Sequence, residues 1–147
     1  MKHVMWWATG TIALGAIVLV TFLGTRGGTW QTVRDGPQTA TIPRNWNLRQ
    51  VNHGEQIYFP LQNHDTCLWL VFSRQPPFSP GNGAKQISSP QPGMMEWQVS
   101  TTQHGIRLVN FYGVFHQSRQ YCGVHIMVPA HQLALGSQIL GSWQPNS

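Results

Sequence analysis

An uncharged, largely apolar stretch from Val4 to Thr25 constrains this chain more than any other feature of its sequence. In a helix that rises about 1.5 Å per residue, such a stretch covers the roughly 30 Å of a bilayer's hydrocarbon core. Trp6 and Trp7 lie near its start and Trp30 follows its end, as tryptophans at membrane interfaces do. We therefore predict a short cytoplasmic N-terminus at 1–3, a transmembrane signal anchor at 4–25, a linker at 26–36 and a periplasmic domain at 37–147.

A cleaved signal peptide is the alternative, because Lys2 and His3 supply a short positive segment before the apolar run. A signal peptide needs an apolar region of about 7–15 residues and then small residues at its cleavage site. The run here is longer, and Phe22-Leu23-Gly24 makes a poor site. Lys2 lies on one side of the span and Arg26 on the other, so the difference in positive charge that normally sets the orientation is small. A short N-terminus nevertheless favours a single-pass inner-membrane protein whose C-terminal domain lies in the periplasm.

The charge of the chain excludes some classes of partner. Only 9% of the residues are charged, and the formal net charge of +5 contains no run of basic residues. Nucleic-acid binding is therefore not expected, because it requires a basic patch or stripe. About 120 residues follow the anchor, which is enough for one domain with its own core.

Short apolar runs divided by Pro, Gly and Asn predict an all-β domain, a β-sandwich or a small barrel. The TCLWLVFS run is apolar on both faces, as a central strand is. Near the C-terminus, Leu135, Ile139 and Trp143 lie four residues apart, which fits a short helix, an edge strand or a tail that docks through Trp143. The predicted strands are Thr39–Ile42, Trp46–Val51, Glu55–Phe59, Thr66–Ser73, Met95–Thr101, His104–Phe115 (paired with the preceding strand across Thr102-Gln103) and Tyr121–Val128.

The two cysteines, Cys67 and Cys122, both follow the apolar stretch. In an exported domain an even cysteine count predicts a disulfide. It would close a loop of about 55 residues and contribute on the order of 3–4 kcal/mol. We accordingly predict a disulfide-stapled β-domain.

Residues 75–93 contain five prolines and three glycines, which predicts a long loop inside the β-domain. Loops of this length are commonly functional or disordered. The prolines near its start favour polyproline II, an extended form that docks at low entropic cost. We predict a partner-binding arm with Pro76, Pro77, Phe78, Pro80 and the distant Trp143 as contacts; a surface insertion without function is the alternative.

Two sets of side chains offer metal ligands. His64, Cys67, Cys122 and His125 are the ligand types of a Cys₂His₂ zinc site. Residues three apart in a strand point to opposite faces, which opposes their convergence. Cys122, His125 and Met127, with His64 or His116, form a second set that resembles the ligand order of the cupredoxin family. Only Ile126 separates the last two residues, where that family has longer gaps, and we expect no metal and no other cofactor.

Catalytic motifs are scarce in this sequence. It contains no Gly-x-Ser-x-Gly, His-Glu-x-x-His, Cys-x-x-Cys or glycine-rich phosphate loop. Among its four acids, Glu55 with Asp65 or Glu96 is the pair available for acid–base hydrolysis of a glycan. Nothing in their spacing distinguishes these acids from surface residues, so we expect a protein that is not an enzyme.

The sequence thus predicts a non-catalytic binding or assembly subunit, anchored in the inner membrane, of a bacterial envelope complex such as a pilus, secretion or conjugation apparatus. Its expected partners are other membrane or periplasmic proteins. Two alternatives remain: a membrane-tethered immunity or inhibitor protein against a toxin or cell-wall hydrolase, and a copper- or zinc-binding redox-associated subunit.

Overall fold

The computed structural model describes residues 29–52, 54–89 and 91–145. Strands hold 58% of these residues, in two sheets, so the prediction of a mostly β domain is confirmed. The elements are β1 (Trp30–Asp35), β2 (Gln38–Pro43), β3 (Trp46–Asn52), β4 (Glu55–Pro60), β5 (Cys67–Ser73), β6 (Lys85–Ile87), β7 (Met94–Gln103), β8 (Ile106–Gln117), β9 (Gln120–Pro129), a 3-10 turn (Ala130–Gln132) and α1 (Leu133–Ser142).

The larger sheet has seven antiparallel strands in the order β3-β4-β5-β9-β8-β7-β6, and β1 pairs with β2 in a separate hairpin. One face of the larger sheet, the helix face, packs against that hairpin and α1. Its second layer is therefore a hairpin plus a helix instead of a second broad sheet. The core between the layers contains Ala40, Ile42, Leu68, Leu70, Phe111, Val124, Ile126, Val128, Ile139 and Leu140.

Helix α1 forms despite a glycine at its centre, because that glycine lets the helix approach the sheet. A Cβ on Gly136 would lie 2.4 Å from the ring of Phe111 and 2.9 Å from Val128. The gain in packing therefore outweighs the lower helix propensity of glycine, about 1 kcal/mol relative to Ala. The sequence allowed a short helix, an edge strand or a docking tail for the C-terminal segment, and the structure shows the helix.

Trp143, directly after α1, closes the core. It is 3% exposed, and its indole N–H donates to Gln38 Oε1 at 3.0 Å. Gln38 in turn donates to the carbonyl of Val71 at 2.8 Å, and Gln144 pairs with Thr39 of β2 through two backbone hydrogen bonds. The chain end is thus fastened to the hairpin, and Trp143 is a core residue that is not available to a partner.

Three local features differ from the sequence prediction. Trp30–Asp35, inside the predicted linker 26–36, forms β1, and Lys85–Ile87, inside the predicted loop 75–93, forms β6. The turn between β7 and β8 lies at His104-Gly105, two residues beyond the predicted connection. Both turn residues have positive φ, 49° and 78°, as a two-residue type I′ hairpin requires.

The predicted disulfide is absent: Cys67 and Cys122 are free and not bonded to each other. Cys67 pairs with Met127 of β9, five positions (127 − 122) beyond Cys122 on that strand. This separation corresponds to about 17 Å and, being odd, places the two side chains on opposite faces. A disulfide needs Cα atoms within about 7 Å and converging Cβ atoms. Packing and hydrogen bonds, and not a disulfide, therefore stabilise the domain.

No helix within the three described ranges has the length and apolar character needed to cross a membrane. The predicted N-terminus 1–3 and the predicted anchor 4–25 lie outside those ranges.

Candidate binding surface

The second face of the seven-stranded sheet, the arm face, carries a row of rings. Trp69 of β5, His125 of β9, Tyr112 of β8 and Trp97 of β7 are direct neighbours in the strand register. The imidazole of His125 stacks on Tyr112 with centroids 4.4 Å apart and planes 4° apart. Tyr112 and Trp97 stack at 5.4 Å and 13°. We call these four side chains the aromatic row; cross-strand pairs of rings stabilise a sheet and present a flat π surface.

The start of the proline-rich loop lies on this row, and we call residues 75–84 the arm. The ring of Phe78 contacts Tyr112 at 5.3 Å, Trp69 at 5.4 Å and His125 at 5.9 Å between centroids. These tilted and edge-on geometries are the favourable ones for ring pairs. Phe78 thus anchors the arm to the sheet.

A glycine in β9 makes room for the arm. A Cβ on Gly123 would lie 2.4 Å from Cγ of Pro77 and 3.1 Å from the ring of Phe78. The distance to Pro77 is too short for a Cβ and the distance to Phe78 is tight, so a side chain at position 123 would displace the arm. The two faces of β9 therefore differ in shape: the helix face is filled by branched side chains and the arm face has a notch.

A polar network lies beside the row. Asn110 Nδ2 donates to Thr101 Oγ1 at 3.0 Å, which leaves Asn110 Oδ1 as the acceptor for His125 Nε2 at 3.0 Å. His125 therefore carries its proton on Nε2. Burial lowers the pKa of His125 from 6.5 to about 4, because no charged group compensates the lost hydration of the imidazolium. The ring is neutral at physiological pH.

One polar atom of the row has no partner. The indole Nε1 of Trp69 is buried and makes no hydrogen bond. An unsatisfied buried donor costs about 1–3 kcal/mol relative to a solvated one. This unpaired donor therefore lowers the stability of the folded domain, whereas the ring contacts of Phe78 with the row raise it.

Neither thiol is a nucleophile in this arrangement. Burial raises the pKa of Cys67 and of Cys122 to about 11 in each case. The thiolate is the reactive form, so both groups are inert at neutral pH. Cys122 lies in the core, where its thiol approaches the carbonyl of Pro145 at 3.5 Å.

The metal-ligand sets proposed from the sequence are divided by the sheet. Cys122 points to the helix face, whereas Cys67, His125 and Met127 point to the arm face. His64 is exposed in the β4–β5 loop, and His116 stacks on Tyr121 at the end of β8. Within the described residues, no three His, Cys, Asp or Glu side chains form a group suited to a metal ion.

The carboxylate pairs are also apart. Strands β5, β9 and β8 lie between Glu55 on β4 and Glu96 on β7. Asp65 belongs to the β4–β5 loop, at the opposite end of that strand pair from Glu55. Burial raises the pKa of Glu96, and it also raises the pKa of Asp35, whose hydrogen bond with Gln38 opposes the rise.

The contacts predicted for a partner divide into two groups. Phe78 and Pro77 are half-buried against the sheet, whereas Pro76 and Pro80 are exposed. The arm therefore presents Pro76 and Pro80 outward, while Pro77 and Phe78 pack against the sheet. No motif in the sequence distinguishes Tyr112, Trp97, Asn110 or Gly123, because their roles depend on strand register. The alternation within the predicted strand His104–Phe115 was the one available signal, since it groups residues 110 and 112 on one face.

Comparisons with known proteins identify the fold alone. The solution structure of cyanobacterial PsbP (CyanoP) from Synechocystis sp. PCC 6803 is 12% identical, with a TM-score of 0.52 over 82% of this chain and 95% of that chain. A crystal structure from Bacteroides thetaiotaomicron VPI-5482 is 9% identical, with a TM-score of 0.52 over 82% of this chain. The match covers 49% of the Bacteroides chain, so this chain spans about half its length. No protein-family model and no curated protein matches the sequence.

Proposed function

We propose that this protein is a non-catalytic binding or assembly subunit of a bacterial envelope complex, anchored in the inner membrane by residues 4–25 and presenting its β-domain to the periplasm. The partner is a membrane or periplasmic protein, and the arm supplies the contact. The single observation that carries the proposal is the arm itself: Phe78 holds it on the aromatic row while Pro76 and Pro80 face solvent.

An arm held at one point suits recognition by a partner. Prolines restrict the backbone before binding, so less conformational entropy is lost when a partner groove closes on them. The ring of Phe78 fixes the position of the exposed prolines relative to the sheet. The contact surface is therefore ordered before the partner arrives.

A membrane anchor would strengthen the contact between the short arm and its partner. Confinement beside a membrane partner converts a second binding event into an intramolecular one with a high effective concentration. A short proline-rich contact is weak in free solution and becomes sufficient under this condition. The anchor and the arm thus form one functional unit in the proposal.

Co-purification with paired proline variants tests the proposal. The double variant Pro76→Ser/Pro80→Ser removes the exposed prolines and keeps Phe78, so we expect unchanged thermal stability and loss of the co-purifying partner. Pro92→Ser is the matched control, because Pro92 is an exposed proline outside the arm. Deleting 76–92 would be less informative, since it removes β6 as well. Retention of the partner by the double variant would exclude the arm as the contact.

A further inference from the structure

One end of the domain contains the loops that lie nearest to the predicted anchor, and we call it the near end. Trp30, the first residue of β1, pairs with Pro43, and the carbonyl of Thr29 accepts a hydrogen bond from the Arg44 amide at 2.7 Å. The chain thus enters the domain beside the β2–β3 turn. The side chain of Gln31 reinforces this junction by donating to the carbonyl of Trp46 at 2.7 Å.

Other connections meet at the same end. A shared cleft there is lined by the β2–β3 turn, the β4–β5 loop and the residues that open α1, namely Pro43, Asn45, Trp46, Pro60, Asn63, Thr66, Gln132 and Leu135. The β7–β8 turn projects in the same direction, because Pro129 at the end of β9 pairs with Leu108 near the start of β8. The near end is therefore the rim formed by these loops.

Exposed apolar side chains are concentrated on this rim. Leu61 is 63% exposed, Leu133 is 46% exposed and Ile106 is 42% exposed. Only Leu48 and Met95 are comparable in the rest of the described chain. Single exposed hydrophobic residues are ordinary, but several on one rim mark an interaction surface.

The charge of the rim is positive. Arg44 and Arg107 are exposed there, and the acid present is Asp65, which is half-buried. Glu55 and Glu96 belong to the other half of the sheet. Exposed apolar side chains together with exposed arginines are the chemistry that binds an anionic lipid surface.

The length of the connection determines how far this rim can stand from the bilayer. Four Cα–Cα steps join Thr25, the last residue of the predicted anchor, to Thr29. Fully extended, they span about 14 Å. The ten residues of β9 alone span about 34 Å, so the tether is shorter than the domain is long. The linker predicted at 26–36 is too short to lift the domain off the membrane, since β1 begins at Trp30.

From the rim, its charge and the length of the tether we infer that the near end of the domain docks on the anionic lipid surface of the membrane that holds residues 4–25. Leu61, Ile106 and Leu133 enter the headgroup region, and Arg44 and Arg107 contact lipid phosphates. The inference rests on the anchor in the proposed function. It adds an orientation: the sheet stands on the bilayer, and the turn between β8 and β9 points into the periplasm.

Fluorescence quenching in vesicles tests the orientation in the full chain. A polarity-sensitive dye is attached to Leu61→Cys, Leu133→Cys or Gln117→Cys, in phosphatidylcholine vesicles that contain phosphatidylglycerol and lipids with a spin label near the headgroup. Gln117 is the matched control, because it is exposed at the far end of β8. The native cysteines are 7% and 5% exposed, so the dye reacts with the introduced thiol.

We expect quenching at 61 and 133 to exceed quenching at 117 several-fold. Equal quenching at the three positions, in a chain that resists an alkaline carbonate wash, would overturn the docked orientation and leave the anchor intact. A chain that the wash removes would overturn the anchor and the orientation together. Replacing Arg44 and Arg107 with Gln should lower quenching at 61, and unchanged quenching would exclude their contact with phosphates.

Discussion

The neutral, half-buried imidazole of His125 makes folding stability depend on pH in a way that can be measured directly. Burial lowers its pKa from 6.5 to about 4. The unfolded chain therefore binds more protons than the folded chain between these two values. The free energy of unfolding contributed by His125 is complete above pH 6.5, falls as the pH is lowered through this window, and is lost below about pH 4.

The size of the effect follows from the shift. A difference of about 2.5 pKa units, at about 1.36 kcal/mol per unit, gives about 3.4 kcal/mol, and the partial exposure of the ring reduces this to about 2–3 kcal/mol. Asp35 and Glu96 have raised pKa values and contribute with the opposite sign. These two groups are present in both the wild type and a His125 variant, so the difference between the two proteins isolates the imidazole.

The assay is urea denaturation of the wild type and of His125→Gln at several pH values from 7 down to 4. Gln retains an amide that can donate to Asn110 Oδ1, and it does not titrate in this range. We expect the wild type to lose about 2–3 kcal/mol more than the variant across this interval. Parallel pH profiles would refute the claim that the ring is buried in its neutral form under the arm.

Three further outcomes are expected. Gly123→Ala should detach the arm and increase its cleavage by protease, whereas Gly81→Ala, whose added Cβ meets nothing within 4 Å, should not; equal cleavage would contradict the docked arm. Both native thiols should be unreactive towards a thiol reagent in the folded protein and fully reactive in urea without reductant. If no reactive thiol is detected in urea, the two cysteines form a disulfide. Trp143→Phe leaves the side-chain oxygen of Gln38 unpaired, so urea denaturation should show a free energy of unfolding lower by about 1–3 kcal/mol. An unchanged free energy of unfolding would contradict the buried hydrogen bond between Trp143 and Gln38.

Local periodicity identified most of the sheet from the sequence. The apolar run at Thr66–Ser73 contains β5, which lies inside the sheet with a strand on each side, although the central strand of the seven is β9. Residues three apart in a strand were expected to point to opposite faces, and Cys122 and His125 do lie on opposite faces of the sheet. These predictions succeeded because side-chain direction along one strand is a local property.

The disulfide prediction failed because it needed a property of two strands. Cys67 is opposite Met127 only in the register that β5 and β9 adopt, and a sequence does not state that register. The aromatic row was missed for the same reason, since four strands must align before Trp69, His125, Tyr112 and Trp97 become neighbours. Strand β1 was missed because Trp30 followed the apolar stretch closely and was interpreted as an interfacial residue.

The central claim, a tethered domain that contacts its partner through the arm, is tested most directly by site-specific photo-crosslinking in intact cells. A photoreactive amino acid replaces Ser79, which is exposed in the arm next to Phe78, or Gln117, which is exposed at the far end of β8. The account predicts one discrete protein adduct from position 79, in the membrane fraction, and none from position 117. No adduct at 79, or the same adduct from both positions, would contradict it.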